Sequence, residues 1–181
     1  IQFIRRLNNK NKVRNFDELG EIRVMVEYFQ GTYTTQTPDQ MLGSPLLPGD
    51  KGSARYQLDP YATELFQSPD KVLRDIRAGE SGADCDDLAL ACACALGAGG
   101  HPAALMIVEA DQSRPGQFNH VLVASKTVQP NEFWGTDWFP IELIHPFELG
   151  QSVPISKFIP LIVMDYDLTP QVTKHIPSNF R

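Results

Sequence analysis

Cysteine is scarce in this 181-residue chain: there are three, and so small and odd a count does not support a disulfide framework. Long hydrophobic runs are missing too. No stretch approaches the roughly 18 apolar residues that cross a bilayer, and the N-terminal IQFIRRLNNKNK lacks the apolar core of a signal peptide. A protein with no membrane span, located in the cytoplasm of the producing cell, is expected. Basic charge is in deficit, 16 Lys and Arg against 22 Asp and Glu for a net −6, which argues against binding nucleic acid through the whole surface. Internal repeats, heptads and low-complexity tracts are absent, which excludes solenoids and coiled coils. What is present, 42% hydrophobic and 21% charged residues, belongs to one ordinary globular domain long enough to bury a core without crosslinks.

The chain divides into a leader, a main domain and a tail. Residues 1–14 carry Arg5, Arg6, Lys10, Lys12 and Arg14 and no acid, and read as a basic N-terminal arm. The main domain runs over 15–150. Asn15 with Glu18 three residues later predicts a capped helix, carried on by Leu19, Ile22, Val26 and Phe29 at helical spacing up to Gly31. The polar stretch from there to Ala54, punctuated by Pro and Gly, is too long for a routine connection and reads as a lid, a docking arm or a disordered strip. Ser68-Pro69-Asp70 opens a second helix, expected to reach about Ala78. A third is expected from Cys85 to about Leu96, closed by Gly97, Gly99 and Gly100. Its alternating alanines, Ala89 to Ala95, would let it approach a sheet closely.

Beyond this helix the hydrophobic period shortens. Residues 104–110, 120–125, 138–144 and 158–165 read as strands, the last belonging to a C-terminal strand and tail over 151–181. Helices first and consecutive strands afterwards give an α+β domain, with the Cys85 helix packed on a mainly antiparallel sheet.

Candidate chemistry gathers at the start of that helix. Cys85 stands where a glycine-containing loop turns helical, near unpaired backbone N–H groups and the positive end of the helix dipole, a setting that favours thiolate. Asp86 and Asp87 oppose that effect and also read as ordinary first-turn acids. Cys92 and Cys94 point about 200° apart on the helix, cannot chelate one ion together, and read as small buried hydrophobes. Among four histidines only His120 opens an alternating strand, where a base can face a helix N-terminus; His101 and His145 precede prolines and read as loop residues, and His175 lies in the tail. An acid is needed to orient the imidazole. A hairpin turning at Pro130-Asn131 would set Glu142 opposite His120, and a shorter turn near Thr127 would bring Asp137 instead. Pro140 leaves the register open.

The run GADCDDLALACACALGAGGHPAALMIVEA, then FNHVLV, then WFPIEL, resembles the transglutaminase-like superfamily of papain-type cysteine enzymes, particularly its small bacterial and tailed-phage members. The resemblance covers roughly residues 56–150. It implies a papain-like fold with Cys85 as nucleophile, His120 as base, and Glu142 at the acidic position, where the family usually has Asp; Asp137 is the alternative. It further implies cofactor-independent and metal-independent acyl transfer through a thioester. Hydrolysis of a peptide or amide is expected first, with peptidoglycan stem peptides or a viral precursor as substrate classes, and transfer to an amine second. The oxyanion would be met by the Cys85 backbone N–H and a second donor such as Tyr56 or Gln67. A different class of role is also implied, a bacteriophage virion or assembly component of this fold, partnered by other virion proteins through the arm and the 31–54 loop.

Overall fold

The computed structural model describes residues 2–31, 58–60, 65–78, 83–144 and 147–164, and among these described residues four helices are followed by four strands. The long polar stretch read as a lid or docking arm, Tyr56, His145, His175 and the C-terminal tail lie outside the described residues.

The first helix, α1 (Gln2–Asn11), corrects the expectation of a basic arm. Only Ile4 and Leu7, one turn apart, are buried, and Phe3 meets Tyr28 edge-on at 4.9 Å between ring centroids. Two anchors in ten residues are enough to dock a helix that otherwise carries Arg5, Arg6, Lys10 and polar side chains, and these hide the stripe from a composition reading. α2 (Glu18–Gly31) is also capped differently from the expectation. Phe16 takes a left-handed φ of 67° and is fully exposed, which shifts the helix start. Asp17, not Asn15, then accepts the Gly20 N–H at 2.8 Å. α3 (Pro69–Ala78) begins as read, with Ser68 Oγ accepting the Lys71 N–H, and buries Val72 and Ile76.

α4 (Cys85–Gly99) runs three residues further than expected. It ends at Gly100, whose φ of 93° is the left-handed cap conformation; the Gly100 N–H reaches Gly97 O and the His101 N–H reaches Leu96 O. Ala89, Ala91, Ala93 and Ala95 are buried. Small side chains there let the helix lie close to the sheet.

That sheet has the order β3-β2-β1-β4, every neighbour antiparallel, from β1 (Ala103–Glu109), β2 (His120–Ser125), β3 (Phe139–Ile141) and β4 (Lys157–Met164). Alternation assigns the faces. Ala103, Leu105, Val123, Phe139 and Ile141 join the helices in the main core, and Ala104, Met106, Val108, Leu122 and Ala124 form a smaller cluster with Trp138. Prolines keep to the edge strands: Pro140 in β3, and Pro160 in β4 where the register to β1 shifts between Leu105 and Met106. The fold is therefore α+β with an antiparallel sheet. Among the described residues no helix is long and apolar enough to cross a membrane.

Candidate active site

Cys85 is the first residue of α4 and Asp84 its extended N-cap, whose carbonyl accepts the Leu88 N–H at 3.1 Å. The Cys85 N–H is one of the four that helix geometry leaves without an intrahelical acceptor. The sulfur is partly exposed and lines a cleft of about 320 Å³ with His120, Asn119, Ile144, Val153 and Pro154. A larger hollow of about 570 Å³, lined by Arg23, Gln30 and Trp134 among others, contains neither Cys85 nor His120.

His120 opens β2 and is buried. Its Nε2 lies 2.9 Å from Glu142 Oε2 and 3.1 Å from Oε1, which leaves Nδ1 for the hydrogen bond with Cys85. Burial alone would lower the imidazole pKa. The hydrogen bond with Cys85 and the hydrogen bond and charge of Glu142 outweigh it, and His120 is pushed up to about 9.

Glu142 follows β3 and is almost fully buried. Its Oε1 also accepts the N–H groups of Leu143 and Ile144, each at 3.0 Å. Its backbone carbonyl accepts Gln30 Nε2 at 2.7 Å, and the same amide reaches the Phe147 carbonyl at 2.8 Å. Side chain and main chain of the acid are thus both held. The register differs from the sequence expectation: Val123 faces Ile141, so a continued ladder would set Glu142 beside Leu122, two residues from His120. That is a diagonal relation, within reach of a long side chain and poor for a short one. Asp137, the alternative, is exposed in the turn before Trp138, its N–H donating to Trp134 O.

The acids around Cys85 do more than decorate a first turn. Asp84, Asp86 and Asp87 are all buried, and one oxygen from each lies within 4.8 Å of the others. Asp87 accepts the Gln67 N–H and the Gln67 side-chain amide, both at 2.6 Å, tying the segment before α3 to the start of α4. Gln67, read as a second oxyanion donor, spends that amide bond on Asp87 and accepts from Lys71. Asp86 is pushed up to about 8, by burial first and then by the hydrogen bond its protonated form donates to Asp84 and by the charges of Asp84 and Asp87. It holds a proton at neutral pH. These three carboxylates are the described residues that could hold a metal; oxygen donors suit a hard divalent cation, which would have to displace that proton.

Cys92 is fully buried, and burial raises its thiol far above the usual range; Cys94 is half-buried and raised by the same cause. His101, read as a loop residue, is buried, with Nε2 3.1 Å from Glu21 Oε2, and ties the exit of α4 to α2. Gln30 escaped the sequence reading because nothing local marks a partner 112 positions away. The burial of the Asp cluster escaped because first-turn acids are common. No known protein family, curated protein or solved structure matches this chain.

Proposed function

We propose that this protein is a cysteine-dependent acyl-transfer enzyme that hydrolyses an amide or peptide bond through a thioester on Cys85. The observation that carries the reading is the cleft shared by Cys85 and His120, with the far nitrogen of His120 held 2.9 Å from a buried carboxylate. His120 takes the thiol proton, and the thiolate attacks the substrate carbonyl carbon. The Cys85 N–H donates to the oxyanion as the carbonyl double bond opens. Collapse expels the amine, which leaves with the proton from His120. A water, deprotonated by His120, then attacks the thioester; the acid is released and the thiol reforms. Glu142 fixes the imidazole in the orientation that aims Nδ1 at sulfur, and stabilises the imidazolium. The substrates proposed are peptides, peptidoglycan stem peptides or a viral precursor among them.

Selective alkylation tests the reading. At pH 7 iodoacetamide is expected to modify Cys85 at least about tenfold faster than Cys92 or Cys94, as an activated thiol requires. His120→Ala should abolish the advantage. Equal labelling of the three thiols would remove the catalytic reading and leave the proposal of an assembly component that keeps only the fold.

A further inference from the structure

Asn119, immediately before His120, lines the same cleft as Cys85. Its side-chain Oδ1 accepts two backbone N–H groups, Ala110 at 3.0 Å and Asp111 at 3.4 Å. Only the oxygen of a carboxamide can accept from N–H donors, so these bonds fix which end of the amide faces the protein. The Nδ2 end, with two donor hydrogens, has no acceptor among the described residues. The support is itself anchored. Asn119 N–H donates to Val108 O at 3.1 Å, and buried Glu109 accepts Gly116 N–H at 2.8 Å through its side chain and Ser156 N–H at 3.1 Å through its carbonyl. Both ends of the 110–119 loop are thereby tied to strand β1. Of the other residues lining the cleft, Ile144, Val153 and Pro154 offer no side-chain donor.

A peptide entering this cleft presents main-chain carbonyl oxygens that lose water on binding and need donors in return. The Cys85 N–H serves the carbonyl under attack. We infer that the Asn119 Nδ2 binds a neighbouring main-chain carbonyl of the substrate, so that Asn119 is a substrate-docking residue and the substrate class is an extended peptide. The inference rests on the reading of Cys85 as nucleophile. Nothing in it depends on the identity of the substrate's side chains.

The substitution Asn119→Asp separates the two ends of the amide, because aspartate keeps an oxygen for Ala110 and Asp111 and loses the donor. Two reagents are compared on the full chain, iodoacetamide, which has no peptide to dock, and acetyl-Ala-Ala chloromethyl ketone, which does. Asn119→Asp is expected to slow inactivation by the peptide reagent about tenfold, the scale of one lost hydrogen bond, with the iodoacetamide rate kept within about twofold. The iodoacetamide rate is followed against pH, so that any effect of the added charge on the Cys85–His120 pair is measured separately. Amide hydrogen exchange at Ala110 and Asp111 should stay slow in Asn119→Asp and quicken in Asn119→Ala, where the loop loses its clamp and both reagents slow. If both reagents slow equally in Asn119→Asp, Asn119 acts through His120 and the docking role is overturned; an unchanged peptide-reagent rate overturns it too. If Cys85 of the unaltered protein reacts no faster than Cys94 with iodoacetamide, the nucleophile reading itself fails, independently of any substitution at Asn119.

Discussion

Glutamate is one methylene longer than aspartate, and the diagonal placement of Glu142 beside His120 gives that methylene a purpose. The longer side chain crosses the two-residue offset and still curls back to accept two main-chain N–H groups. Glu142→Asp is expected to give up one of these contacts, and Glu142→Gln the charge. In an NMR titration His120 should then leave its value of about 9 and move down toward the ordinary 6.5, whereas Asp137→Asn leaves it in place. Cys85→Ala should also lower it, since the sulfur is one of the groups that raise it. The same shift bears on stability. A histidine raised on folding stabilises the protein fully below pH ~6.5 and loses that contribution as pH climbs through 9. Asp86 acts in the same direction for another reason: folded protein retains a proton up to about pH 8 that the unfolded chain releases near 3.8, so stability falls across that interval. Thermal melting should therefore decline from pH 5 to pH 9. Asp86→Asn, which has no proton to lose, should flatten the decline and melt higher than the unaltered protein at pH 8.

At the scale of elements, the caps decide where helices begin and end. Gly100→Ala places a side chain at a φ of 93° with open space around it, so the cost is backbone strain alone, about 1–2 kcal/mol. Asp17→Ala removes the α2 cap and should cost about 1 kcal/mol. Each change should lower the melting temperature by a few degrees, about 2–4 °C per kcal/mol in a domain of this size. Legibility in the sequence follows the same physics. The four strands and the Cys85 helix could be read because alternating or helical apolar spacing fills them. α1 could not, because Ile4 and Leu7 are its only buried positions among charges. His120 and Glu142 could be placed together from chain order and residue type. Their register could not, because β3 has only three residues and one of them is Pro140. The Asp17 cap was hidden by a second capping pattern two residues upstream, and only the left-handed turn at Phe16 chooses between them.

Over the whole molecule, α4 is the wall that the other elements share, packed against β1, β2, α2 and α3. Its alanines set the spacing, and Ala93→Leu, which adds three carbons at a position with no exposure, should destabilise by about 1–3 kcal/mol in denaturant titrations through overpacking. The contact of Gln30 with the Glu142 carbonyl joins the ends of this arrangement. His120 and Glu142 are 22 positions apart, whereas Gln30 and Glu142 are 112 apart. Loop-closure entropy makes the second contact about 1.4 kcal/mol harder to form than the first. During synthesis α2 leaves the ribosome more than a hundred residues ahead of the carbonyl it will hold, and the hairpin carrying His120 and Glu142 can close before that clasp is made. Chain entropy therefore orders the two contacts: the carboxylate is expected to meet the histidine first, and the main chain behind it to be clasped by α2 afterwards.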